Sequence, residues 1–429
     1  MALGSEEHET TTTRLSSRRV TATRTNRLKA LEVKTVRSTR LSIFLLGVAA
    51  SLPLGAQSTL CSQYPGSSVD EKVNACIRAA IGTVDAIADA RGVTGNLHAE
   101  IDVGDHAGHA VTLLTPKSGQ WVTDINDGTS CAIKQFSNST VQGTNIGNPF
   151  SAGQSSQFAV TTAPGLGTGP GALWCNESGA ESSAGGTYVR LAGVAFFNTG
   201  LAPMGMGADF VAQDWFDNSD ASFILVFDGR NTSALLRGLC CGASFHNATF
   251  DGLQTSQGPV LVFANTATQY NGSVTFQNLS VTHPGPGIAN IACTNTGRWV
   301  GWDGIVIRNL YTETNQSDLT TTMFQCDSVN SLLIDHWNAL RMNSSNTAYA
   351  ISLTNAGAPW VLTQFILTDF TWANGSGPST NTIDDQINHF KQPSVSLGIS
   401  ALGGGIDRYS SSQQRGVSSS LQRGIAVQR

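Results

Sequence analysis

Charge is scarce in this chain: Asp, Glu, Lys and Arg make up 13% of its 429 residues, about half the usual share. That excludes a long charged helical rod. The most apolar stretch, Leu41 to Leu54, has 14 residues, short of the ~20 that a membrane-spanning helix needs. No two cysteines have Cys-x-x-Cys spacing, so no zinc cluster is expected, and there is no Gly-x-Ser-x-Gly nucleophile elbow. The glycine-rich run from Gly165 to Gly171 lacks the Lys-Ser/Thr of a phosphate loop and reads as a flexible turn. Asp105-His106-x-x-His109 has metal-ligand types at close spacing but no assignable third ligand, and reads as a solvated loop.

The few cations are unevenly placed. Nine of the 25 Lys and Arg lie in the first 40 residues, leaving 16 against 26 acids beyond residue 56. A body near −10 has the wrong sign for a nucleic-acid binder. The basic, Ser/Thr-rich start followed by Leu41 to Leu54 and Gly55-Ala56 reads as an N-terminal extension plus signal peptide over 1–56, so the mature chain is expected to be secreted or cell-surface, with no membrane span. Eight cysteines, an even number, permit disulfides in such a compartment. Cys61–Cys76 is the best pair; for the others disulfides and free buried thiols are equally expected, and for adjacent Cys240 and Cys241, which face opposite sides of a strand, a bond between the two is not expected.

What the chain does have is glycine, 45 residues, and a repeat. Ala243 to Phe250 aligns with Val274 to Val281, Ile305 to Thr312, Leu332 to Ala339 and Phe365 to Trp372. The fifth positions, Asn247, Asn278, Asn309, His336 and Asp369, are 31, 31, 27 and 33 residues apart. A second strand series, from Val260, Asn290, Thr322 and Ala350, shares the period. Units of about 30 residues with two or three short strands cannot bury an apolar face alone; stacked at ~4.8 Å they form a solenoid with a continuous core. Asn tolerates left-handed backbone, so the aligned Asn positions read as a turn ladder. Ser68-x-x-Glu71 is a capping box ahead of Val73, Cys76, Ile77 and Ala80, which predicts an amphipathic helix over 69–82. After about 392 the chain turns Ser/Gly-rich and is expected to be a flexible tail, 393–429.

The segments "DEKVNACIRAAIG", "GTVDAIADARGVTG", "VTLLTP" and "FSNSTVQG" resemble the start of secreted proteins of the pectate-lyase-like (pectin-lyase fold) superfamily. The similar segments span about 66–145, and the rung pattern carries the likeness to roughly 375. The resemblance implies an all-β fold, a right-handed parallel β-helix over 57–392 with an N-terminal capping helix, and an extracellular polysaccharide as partner. It does not choose among lyases, hydrolases and non-catalytic adhesins. Asn381-Thr382-Ile383-Asp384-Asp385 with His389 partly matches the polygalacturonase-like branch, but Gly-His-Gly and Arg-x-Lys are missing, so the segment is expected to be a loop or helix start. No cofactor is expected; calcium stays open but unsupported, because a calcium-dependent lyase would want several carboxylates converging beside an Arg or Lys base and the 16 body cations are sparse.

The register suggests a site. Position 4 of the repeat faces outward, placing His246, Gln277, Arg308, Asp335 and Thr368 in one row. Position 7 places Tyr311 beyond the turn, and Asp251, His283, Glu313 and Arg341 follow. An aromatic among amides and paired charges is the chemistry that binds sugar rings. The expected catalytic residues are Asp335, Glu313 and Arg308; the expected substrate-binding residues are Tyr311, His246, Gln277, Asp251, His283 and Arg341. No metal ligands are expected. The competing expectation is a glycan-binding or adhesion module that carries out no reaction.

Overall fold

The computed structural model describes residues 58–144, 158–178, 187–214, 216–239, 241–253, 256–264, 271–294, 302–314, 322–326, 329, 331–341, 351–353, 364–368, 371–374, 383–385 and 396–399. The chain divides into two compact units, Met1–Leu54 and Gly55–Arg429; all described residues belong to the second. The expected extension and signal peptide, and most of the expected tail, lie outside them. No helix among the described residues is long and apolar enough to cross a membrane.

The fold is a parallel β-helix, with every strand pair among the described residues parallel. Each full coil contributes to three ladders. The first runs from Thr59–Leu60 through Ile87–Asp89, Val111–Leu114 and Ser139–Gln142 to the leading halves of Ala243–Asp251, Asn271–Thr282, Trp302–Glu313 and Ser331–Arg341. The trailing halves of those four strands continue a second ladder that begins at Gly95–Leu97. The third ladder runs from Ile101–Val103 to Ile383–Asp385 and includes Leu261–Ala264, Ile291–Thr294, Phe324–Cys326 and Ile351–Leu353. These are the second series of the sequence repeat.

The repeat register is borne out residue by residue. Phe245 pairs with Phe276, Phe276 with Ile307, Ile307 with Ile334 and Ile334 with Leu367, and all five are fully buried. The Phe245 and Phe276 rings stack at 4.9 Å. Identical positions meet because neighbouring coils differ by one strand spacing, so each buried ring fills the space above the last. The fifth positions turn the chain: Asn247, Asn278, Asn309 and His336 have φ of 52°, 57°, 55° and 62°. Asn278 Nδ2 donates to Asn247 Oδ1 and Asn309 Nδ2 to Asn278 Oδ1, each at 2.8 Å. The left-handed residue resets the alternation, so positions 3 and 6 both point inward.

The solenoid's first end is closed by the helix Val69–Ile81, capped by Ser68 and Glu71 as the sequence predicts. Val73, Cys76, Ile77 and Ala80 bury against the first coils. Asn74 closes the edge of the third ladder: its Nδ2 donates to Glu100 O and its Oδ1 accepts from Asp102 N, occupying groups that an open sheet edge would leave unpaired.

The open cysteine alternatives resolve toward disulfides among the described residues: besides Cys61–Cys76, the structure joins Cys131–Cys175 and Cys293–Cys326, and Cys241 is also disulfide-bonded. Two expectations need correcting. Ile383–Asp385 is neither loop nor helix start but a strand of the third ladder, paired with Ile351–Leu353. Ser396–Ile399, past the expected boundary at 392, pairs with Gln364–Thr368. The run from Gly165 to Gly171 is the expected turn, open around Gly165 and Gly167 and anchored at its far end, where Asn126 Oδ1 accepts from the N–H groups of Thr168 and Gly169 and a Cβ on Gly169 would lie 2.1 Å from Pro203 O.

Candidate functional site

From Gly119–Thr123 onward the strands of the second ladder end in a polar residue, and three successive coils bring four of the expected residues together. Asp251 ends Ala243–Asp251, His283 follows Asn271–Thr282, and Tyr311 and Glu313 lie at the end of Trp302–Glu313. Asp251 Oδ2 accepts from His283 Nδ1 at 2.7 Å and from Thr282 Oγ1 at 2.9 Å, while its Oδ1 accepts from Leu253 N at 2.7 Å. His283 Nε2 lies 3.1 Å from Glu313 Oε1, and the Tyr311 hydroxyl donates to Glu313 Oε2 at 2.9 Å. The result is one chain: carboxylate, imidazole, carboxylate, phenol. His283 adopts φ 50° to join it.

Both ring nitrogens of His283 face carboxylates, so the ring is held as an imidazolium. The hydrogen bond to Asp251, then that to Glu313, raise its pKa to about 10 despite burial. Burial pushes the Glu313 carboxyl up, but bonding to His283 and its charge, helped by the Tyr311 hydroxyl, outweigh it and hold Glu313 below its ordinary range. Burial first, then the Glu313 charge, raises Tyr311. At neutral pH His283 is therefore an imidazolium, Glu313 is ionised and the Tyr311 phenol keeps its proton. Glu313 has no proton to give, and each of its oxygens already faces a donor.

The outward row lies on the first ladder, across the Asn turn. His246 pairs with Gln277, Gln277 with Arg308, Arg308 with Asp335 and Asp335 with Thr368. Gln277 and Arg308 are exposed and Asp335 is half-buried. His246 is engaged by the preceding coil, its Nε2 3.2 Å from Asp220 Oδ1. Arg341 ends Ser331–Arg341, its backbone paired with Asn374; its side chain lies outside the described residues. The three expected catalytic residues thus divide between two ladders, Arg308 and Asp335 on one and Glu313 on the other.

Elsewhere, a cavity of about 490 Å³ lies at the helix-capped end, lined by Asp89, Arg91, Lys117 and neighbours, with Arg91 turned back onto Asp89. His106 and His109 lie in a solvated loop, as expected, paired with Glu177 and Asp105. Glu100 approaches Cys131 and Cys175 in a ligand-like group, but those sulfurs are spent on a disulfide. Burial pushes Glu100 up to about 7. The sequence reading passed over two fully buried carboxyls, Asp209 and Asp228. A signal existed: Asn198 and Asp228 end adjacent second-ladder strands exactly one repeat, 30 residues, apart.

No family model, curated protein or solved structure matches the chain.

Proposed function

We propose that this chain is an extracellular β-helix that binds polysaccharide along its outward row, as a non-catalytic recognition or adhesion module of the pectate-lyase-like kind. The observation that carries the reading is the register Gln277, Arg308, Asp335 on one outer face, with exposed amide and guanidinium repeating at the strand spacing of ~4.8 Å. Such a row offers planar donors and acceptors to successive hydroxyls of an extended polymer. Tyr311, held by Glu313 on the adjoining face, supplies a rigid aromatic edge. The disulfides favour an oxidising compartment and so export. The body's negative charge favours a neutral or weakly acidic polymer.

Binding is preferred to cleavage because Glu313 lies on the other ladder from Arg308 and Asp335, and both its oxygens are engaged, Oε1 by His283 and Oε2 by the Tyr311 hydroxyl, which ties it up as acid or base. The test is a polysaccharide panel in which binding, new reducing ends and UV-absorbing unsaturated products are measured together. Binding without products supports the module. Sustained product formation by the purified wild type, lost in Asp335→Asn or Glu313→Gln, would return the chain to the lyases or hydrolases.

A further inference from the structure

Where the second ladder turns toward the third, the fold buries two carboxyl groups with nothing to balance them. Asp228 ends Leu225–Asp228 and Asp209 lies in Ala208–Gln213; both are fully buried, as is Asn198 at the end of the preceding second-ladder strand. The two carboxyls are within hydrogen-bonding reach of each other. Asp228 Oδ1 is satisfied, accepting from Arg230 N at 2.6 Å and Asn198 Nδ2 at 3.2 Å. No hydrogen bond of good geometry reaches Asp228 Oδ2 or either oxygen of Asp209; the Asn198 amide only eases Asp209 and the Asn231 N–H only eases Asp228, and burial still dominates both.

The surroundings offer no remedy. Asn198 is saturated: its Oδ1 accepts from Ala202 N and Thr162 Oγ1, and its Nδ2 donates to Ala202 O and Asp228. Arg230 gives Asp228 only its backbone N–H and sends its guanidinium to Leu201 O. Among the described residues no cationic side chain acts on either carboxyl. Two buried like charges in contact, without a counter-charge, cannot persist. Something positive must join them.

We propose that Asp209 and Asp228 hold a calcium ion inside the coil. Three orphaned carboxylate oxygens, with no nitrogen or sulfur ligand, form a hard donor set that selects an oxygen-binding cation. Two carboxylates are balanced by a divalent ion and not by sodium or potassium. Magnesium demands near-ideal octahedral geometry and keeps several waters, a poor match for a site closed to solvent. Main-chain oxygens of the corner must supply the rest of the roughly six to eight ligands that calcium takes. The rival occupant is a proton shared by the pair: burial raises both carboxyls above their ordinary range, Asp209 farthest. This inference is independent of the glycan reading, since the site lies inside the wall.

The test uses the full chain, stripped by chelator and freed of it. Calcium content after gel filtration, and melting temperature against added calcium, magnesium or potassium, are compared for wild type, Asp209→Asn and Asp228→Asn. The expected result is one retained calcium per wild-type chain, a saturable rise of several degrees specific to calcium, and loss of both in each variant. Should the variants fail to fold, terbium bound to the stripped wild type decides: emission excited through tryptophan is expected, because Asp209 adjoins Phe210, which stacks on buried Trp174 at 4.3 Å. The proposal is overturned if wild type neither retains nor responds to calcium, if folded variants respond as wild type does, or if terbium gives no such emission.

Discussion

His283 Nε2 lies 3.1 Å from Glu313 Oε1 while its Nδ1 lies 2.7 Å from Asp251 Oδ2, so one imidazolium ties three successive coils together. Because the folded pKa, about 10, exceeds the unfolded value of ~6.5, this tie is fully stabilising below pH ~6.5 and drains away as pH rises toward 10. Wild-type stability, followed by urea unfolding, should fall across that window. His283→Asn, which keeps a residue tolerant of φ 50°, should flatten the slope and cost about 3 kcal/mol at pH 7 by leaving buried carboxylates unpaired. An unchanged slope would show that the fall arises elsewhere.

The inward column gives a sharper packing test. Ile307 sits between Phe276 and Ile334 with no exposure. Ile307→Val should cost about 1 kcal/mol. Ile307→Asp should abolish the cooperative thermal transition, since an unpaired buried charge costs several kcal/mol. A folded Ile307→Asp protein would contradict the register.

At the Asn corner, Asn278 both donates to Asn247 and accepts from Asn309. Asn278→Ala loses two bonds and strains the left-handed backbone, at about 2–3 kcal/mol in total. Asn278→Gly keeps the backbone at ease and should cost less. Equal losses in chemical denaturation would mean that the side-chain ladder, and not φ, sets the cost.

Cys293 pairs with Cys326 across the third ladder as well as bonding to it. Replacing both by Ala should lower stability by about 2–4 kcal/mol, largely by freeing the unfolded chain, and full reduction should cost wild type more than the variant, because the other disulfides are lost from both and this one from wild type alone.

The parts legible in the sequence are those where one physical rule acts alone. Position 3 is apolar in every coil because it has one neighbour above and one below, so Phe245 to Leu367 announced themselves, and so did Asn247, Asn278 and Asn309. Ile383–Asp385 and Ser396–Ile399 were not legible, because three or four residues carry too little alternation and the preceding coil supplies the template. The Asp251, His283, Glu313 chain was half legible: the residues were found beyond the turn, but their mutual bonding depends on where each coil ends. Asp209 escaped because Ala208–Gln213 is buried at all six positions, leaving no alternation to mark a buried acid as an exception; the spacing of Asp228 from Asn198 marks its place in the coil but not its burial.

The central claim is recognition without reaction on the outer face, and titration calorimetry with the best binder from the polysaccharide panel tests it most directly. Arg308→Ala and Gln277→Ala should each weaken binding about 5- to 30-fold, the loss of one or two hydrogen bonds. Ile307→Val, one residue inward, should leave affinity unchanged, and no product should accumulate in the cell. Unaltered affinity in both surface variants, with folding intact, would contradict the account and place the ligand surface elsewhere.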